Sequence, residues 1–126
     1  MTQELKHKAY GTPFAEWIEQ IPYELDTDAI GLWQIVSDGR LGFGLEGSEL
    51  VGFLRRALVG ILGAGGRPVV GGGEGPHDWI LERRYGTRSE DVIENVLREW
   101  IANGMRDEDP GGLWFVLPEH AWMPPE

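Results

Sequence analysis

One run of fifteen residues constrains the fold more than any other part of the chain. Between Ser48 and Leu62, apolar residues recur at the spacing of one side of an α-helix: Leu50, Val51, Leu54, Ala57, Leu58, Ile61 and Leu62. Ser48 is a favourable N-cap residue, and Gly63, Gly65 and Gly66 end the pattern. A helix with so continuous an apolar side must face a core, so we expect the other elements to pack around it.

Two further segments have the same helical period. Thr12-Pro13 opens the first, whose apolar residues are Phe14, Trp17, Ile18 and Ile21. Thr87 and Glu90 are spaced as a capping box before the second, which continues with Val92, Ile93, Val96, Leu97, Trp100 and Ile101. Glu94 and Arg98 are spaced to pair along it. We predict a helix in each segment and a core centred on Leu54, Leu58, Val96, Leu97 and Trp114.

Residues 29–45 fit two different structures. A cap at Asp26 or Thr27, followed by an apolar stripe that stops at Gly39, predicts a helix. The pair Asp38-Gly39 also suits a type I′ turn, which would make the same stretch a β-hairpin. We favour the helix, because its cap, its stripe and its stop coincide.

Three short apolar runs have the character of β-strands: Arg67–Val70, Asp78–Tyr85 and Leu113–Leu117. Glycine-rich residues 71–75 predict a long hairpin loop between the first two. The third run is continuously apolar, as in a strand buried inside a sheet. The chain is therefore predicted to form one α+β domain over residues 1–126, with about four helices on a mainly antiparallel sheet of about three strands. A polar arm (1–12) precedes the fold, and a proline-rich tail (119–126) follows it.

Composition narrows the classes of function. The chain has 21 acidic and 11 basic side chains, a formal net charge of −10, which disfavours binding to nucleic acids or anionic membranes. It contains no cysteine, and its three histidines are far apart in sequence, so we expect no metal site and no cofactor. There is no signal-peptide pattern and no run of about twenty apolar residues, which predicts a cytoplasmic protein.

His77 and Asp78 are the best candidates for chemistry, because a carboxylate can orient an imidazole and keep it basic. Arg83 and Arg84 could hold an anionic group nearby. Neighbouring residues on a strand point to opposite faces, however, so His77 and Asp78 need not touch. These four residues and the Gly71–His77 loop define one hypothesis, a small-molecule-binding protein or an enzyme, which a pocket beside that loop would favour.

Two other groups of residues predict contacts with a second chain. Trp122 and Met123 are bulky apolar residues that either pack on the domain or anchor a partner. Gly52, Arg56 and Gly60 lie off the main apolar side of the central helix and would allow a second helix to approach closely. That helix could belong to this chain or to a second copy in a homodimer.

The acidic composition, the six tryptophans and the lack of a catalytic signature favour a role in protein–protein interaction. We expect a regulator, an inhibitor or an immunity-type partner that binds a basic protein and catalyses no reaction. The small-molecule site at the Gly71–His77 loop is the alternative.

Overall fold

The computed structural model of the protein describes residues 5–26, 28–71, 79–106 and 112–120. Within these ranges it contains four α-helices and a four-stranded sheet. The helices are α1 (Phe14–Gln20), α2 (Leu32–Ser37), α3 (Gly47–Gly63) and α4 (Ser89–Ala102). The strands are β1 (Ile30–Gly31), β2 (Arg67–Gly71), β3 (Trp79–Leu81) and β4 (Trp114–Val116). The 3₁₀ turns Ile21–Asp26 and Pro118–His120 and the π-helical turn Asp38–Gly42 complete the elements.

The strands form an antiparallel sheet in the order β1-β4-β2-β3. Val69 pairs with Leu81 in β3 and with Trp114 in β4, while Phe115 pairs with Ile30 in β1. The α+β class, the β2–β3 hairpin and the interior position of β4 are thereby confirmed. The sheet has one strand more than expected, because the short strand β1 adds to its edge.

Helix α3 is the centre of the fold, as its sequence pattern predicts. It packs against α1, α2, α4 and the Ile21–Asp26 turn. Leu54 and Leu58 are completely buried in this central core, and Val96 and Leu97 of α4 are almost so. The predicted place of Trp114 in the same core is wrong. Phe115 takes that place instead, because successive residues of β4 point to opposite faces of the sheet.

The ambiguous stretch 29–45 is mainly helical, which confirms the preferred interpretation for α2. The predicted start of this helix at residue 29 is wrong, because Ile30 belongs to β1 and pairs with Phe115. The backbone N–H of Gly31 donates to Oε1 of Gln34 at 2.9 Å, and this bond marks the change from strand to helix. Asp26 therefore lies in the preceding turn and does not cap the helix, while Thr27 lies outside the described residues.

The predicted caps of the two long helices are also wrong. Helix α3 is capped by Glu46 and α4 by Arg88, so Ser48 lies inside one helix and Thr87 outside the other. The side chains of these two N-cap residues form no capping hydrogen bond with the backbone at the start of the helix. Burial of the apolar side, more than the cap, thus positions each helix. Glu94 of α4 binds Arg55 of α3 instead of pairing only within its own helix, and this ion pair joins the two helices.

Candidate functional site

The sheet face opposite the central core carries a second apolar cluster. Val69 and Val116 are buried there beneath Trp79, Leu81 and Trp114, which are themselves partly exposed. Among the described residues, this cluster contains none from α1, α3 or α4. The ring centroids of Trp79 and Trp114 are 5.1 Å apart, and that of Trp33 in α2 is 6.4 Å from Trp114. We call Trp33, Trp79, Leu81 and Trp114 the tryptophan face.

Strand register explains how these side chains meet. Val69 pairs with both Leu81 and Trp114, and residues paired across antiparallel strands project to the same face. The period of two along each strand adds Trp79 and Val116 to that face. Gly31 pairs with Trp114 from the other side and leaves room for an indole ring. A Cβ atom on Gly31 would lie 2.6 Å from Cδ1 of Trp33. The absence of a side chain at this one position therefore allows Trp33 to reach the sheet.

The tryptophan face differs from an ordinary solvent-facing sheet. An antiparallel sheet with one face in water normally alternates apolar and polar residues, whereas here both faces are apolar. The indole N–H of Trp33 is buried, and it has no hydrogen-bond partner in the described part of the chain. Partly exposed clusters of aromatic residues are typical of protein interaction sites. The sequence signal for this face is that residues 79–81 and 114–116 are apolar at every position, so that both faces of each strand are apolar, and this signal was not used to predict an aromatic site.

Glu24, Asp28 and Asp38 form an acidic cluster, in which Glu24 interacts with each of the other two carboxylates. Burial, and then the charge of Glu24, raise the pKa of Asp38 to about 6. Burial, followed by the charge of Asp28, raises the pKa of Glu24. Oδ1 of Asp28 accepts the backbone N–H of Ala29 at 2.7 Å, and Ala29 packs with Val69 and Val116. Within the acidic cluster, Asp28 is therefore the residue next to the β1 edge of the tryptophan face.

The structure separates the two arginines of the predicted small-molecule site. Arg83 lines a cleft of about 210 Å³ together with Arg67. The Nη2 group of Arg84 donates instead to Tyr85 Oη at 2.5 Å and to Glu99 Oε1 at 3.0 Å. Burial and the charge of Glu99 raise the pKa of Tyr85 to about 12, against the opposing charge of Arg84. Although they are adjacent in sequence, Arg83 therefore lines the cleft and Arg84 contacts Tyr85 and Glu99 instead.

The cleft does not lie beside the ends of the glycine-rich loop. Gly71 pairs with Trp79 at one end of the β2–β3 hairpin, whereas the N–H of Glu82 donates to the carbonyl of Pro68 near the other end. Arg83 is at this second end. His77 and Asp78 lie outside the described residues, as does most of the loop, so their proposed chemistry stays a prediction.

The structure describes only one of the two regions that the sequence predicted to contact a second chain. Trp122 and Met123 lie outside the described residues. On α3, a Cβ at Gly60 would lie 3.0 Å from Cγ of Pro22, and the Arg56 guanidinium lies over the Phe14 ring, with 5.3 Å between Cζ and the ring centroid. Elements of the same chain thus already pack against part of this helix face.

A shallow groove of about 410 Å³ remains beside α3, and Val59, which is 54% exposed, lies on it. Contact with a second copy through this groove stays a prediction.

Three further findings complete the description. Across the described ranges, no three His, Asp or Glu side chains converge to hold a metal ion. No helix among these residues combines the length and apolar character needed to cross a membrane. Comparison of the chain with protein-family models, curated protein sequences and solved structures finds no match.

Proposed function

We propose that the protein acts by binding another protein through its tryptophan face. The observation that carries this proposal is the contact between Trp33, Trp114 and Trp79 on an apolar sheet face. Tryptophan supplies a large apolar contact area and loses little side-chain entropy on binding, so it is enriched among residues that dominate binding energy. Burial of these rings by a partner would remove apolar surface that the described chain leaves in water.

The charge of the chain favours a basic partner. The formal net charge is −10, and the exposed carboxylates of Glu24 and Asp28 lie close together, with Asp28 next to Ala29 at the β1 edge of the tryptophan face. Lysine or arginine side chains of a partner could reach these carboxylates while an apolar segment covers the rings. Exposed charges of this kind act mainly on the rate of association, whereas buried aromatic residues act mainly on dissociation. The acidic cluster and the tryptophan face should therefore have separable effects.

A stable interface buries about 800 Å² on each partner, which is more than four side chains provide. The tryptophan face would form the apolar centre of such an interface, and polar groups around it would form the rim. A protein that acts by occupying a basic partner in this way fits the role of a regulator, an inhibitor or an immunity-type partner. The shallow α3 groove is a second candidate surface, for contact with a second copy of the chain. Self-association through it would make the sedimentation coefficient increase with protein concentration.

The test compares Trp79→Ala with Ile101→Ala, a variant of an exposed apolar residue on α4. Each tagged protein is incubated with cell extract, and retained proteins are quantified by mass spectrometry. A genuine partner should be retained by the wild type and by Ile101→Ala but lost with Trp79→Ala, since loss of an aromatic anchor costs about 2 kcal/mol or more of binding energy. Circular dichroism establishes that both variants are folded.

The purified pair then provides the decisive measurement. Glu24→Gln should slow association and reduce its dependence on salt, while leaving the dissociation rate nearly unchanged. Trp79→Ala should instead raise the dissociation rate. Retention of the same proteins by the wild type and by Trp79→Ala would refute binding through the tryptophan face.

A further inference from the structure

The cleft that holds Arg83 is built at the open end of the β2–β3 hairpin. Pro68, Leu81 and Pro118 form apolar walls, and Arg67 and Arg83 contribute guanidinium groups to the lining. Its volume of about 210 Å³ is smaller than the roughly 300–1,000 Å³ of pockets that hold drug-sized molecules. A ligand of this cleft must therefore be compact.

The charge of the lining is opposite to that of the whole chain. The one carboxylate in the lining, that of Glu82, is engaged by the neighbouring Arg84. Its Oε1 accepts the backbone N–H of Arg84 at 3.1 Å, and its Oε2 lies 3.7 Å from Nε of the same residue. The hydrogen bonds of Arg67 go to uncharged oxygens, the Gly66 carbonyl at 3.3 Å and Ser89 Oγ at 3.5 Å. The lining thus carries two guanidinium groups and one carboxylate, a formal excess of one positive charge.

We propose that this cleft binds a compact organic carboxylate. The planar fork of a guanidinium matches the two oxygens of a carboxylate, which gives recognition that is directional as well as electrostatic. The apolar walls would hold the body of the ligand, and the small volume limits that body to about the size of one ring. The cleft shares only Leu81 with the tryptophan face. The proposal is therefore independent of partner binding.

Benzoate is the test probe, with benzamide as a control of nearly the same shape and no charge. Each is titrated into the ¹⁵N-labelled wild-type protein and followed by NMR chemical shifts. We expect saturable benzoate binding with the largest shifts at Leu81, Glu82 and Arg83, and binding of benzamide weaker by about tenfold or more, since a hydrogen bond to a charged group contributes more than one to a neutral group.

Three arginine variants locate the site. Arg83→Gln and Arg67→Gln should each weaken benzoate binding by about tenfold. Arg88→Gln is the matched control, because Arg88 is paired with Glu90 and does not line the cleft. It should change the affinity by less than about twofold. Arg83 is exposed, so its variant remains informative if loss of the Arg67 contacts with Ser89 destabilises the protein.

Several results would overturn the proposal. These are the absence of saturable benzoate binding, equal affinity for benzoate and benzamide, or unchanged affinity in Arg83→Gln. Inorganic phosphate is tested in parallel, and tighter binding of phosphate than of benzoate would overturn the assignment to a carboxylate. Benzoate affinity in Trp79→Ala should equal that of the wild type. A failure of the cleft is therefore distinguishable from a failure of the tryptophan face.

Discussion

Gly31→Ala should destabilise the protein by forcing apart the rings of the tryptophan face. The backbone at Gly31, with φ −86° and ψ 141°, accommodates alanine without strain, so the cost arises from contacts alone. The new Cβ would lie 2.6 Å from Cδ1 and 2.7 Å from Nε1 of Trp33, and 3.2 Å from Cε3 of Trp114. An ordinary carbon contact is about 3.5–4.0 Å, so the Trp33 indole must move by about 1 Å. Overpacking of this kind costs about 1–3 kcal/mol of unfolding free energy.

Gly52→Ala is the control for the same chemical change. Gly52 lies within α3, and apart from its chain neighbours and the backbone of its own helix no described atom lies within 4 Å of a Cβ built there. Alanine should therefore raise the free energy of unfolding by about 0.5–1 kcal/mol through its higher helix propensity. Urea titrations followed by circular dichroism and tryptophan fluorescence measure both variants. Equal stability of Gly31→Ala and the wild type, with an unchanged emission spectrum, would refute the described packing of Trp33 on Gly31.

Two further predictions concern the core and the acidic cluster. Leu58→Ala should lower the free energy of unfolding by about 2–5 kcal/mol, because Leu58 is completely buried in the central core; a loss below about 0.5 kcal/mol in urea titration would place α3 at the surface. The pKa of the Asp38 carboxyl is about 6 in the folded protein and near the ordinary value of 3.8 in the unfolded chain, so the folded protein binds this proton more tightly. The contribution of Asp38 to the free energy of unfolding should therefore increase as pH falls from about 6 towards 4. In Asp38→Asn, the urea concentration at the midpoint of unfolding should therefore change less between pH 4.5 and pH 7 than it does in the wild type. An equal pH dependence of the midpoint in the two proteins would contradict the burial of this carboxyl.

Long periodic segments made most of the fold predictable. The apolar sides of α3 and α4 each repeat over several turns, and their burial outweighs the details of their caps. Strand β1 could not be predicted from periodicity, because a strand of only two residues is too short to show a repeating pattern. Its existence depends on the pairing of Ile30 with Phe115, which are 85 positions apart in the chain. The pattern around Ala29 and Ile30 therefore favoured a helix that begins only at Leu32.

The candidate surfaces were less predictable, because each is formed by residues that are distant in sequence. The continuous apolar character of residues 79–81 and 114–116 is visible in the sequence, but it does not say which face of the sheet the helices cover. The adjacent charges of Arg83 and Arg84 predicted one site. The structure divides them, since Arg84 bonds to Tyr85 and Glu99 and does not line the cleft, whereas Arg83 does. Local spacing therefore identified an arginine of the cleft but not its neighbour Arg67.

The strand order also has a consequence for how the chain is made. Strand β4 is an interior strand and joins β1 to β2, yet it is the last of the four to leave the ribosome. The β2–β3 hairpin and α3 can form early, whereas β1 has no partner strand until residues 114–116 have emerged. During that interval Val69 lacks the neighbouring Trp114 that pairs with it in the finished sheet. Completion of the sheet is thus late and non-local, and such contacts slow folding and prolong the exposure of unpaired strand edges to other nascent chains.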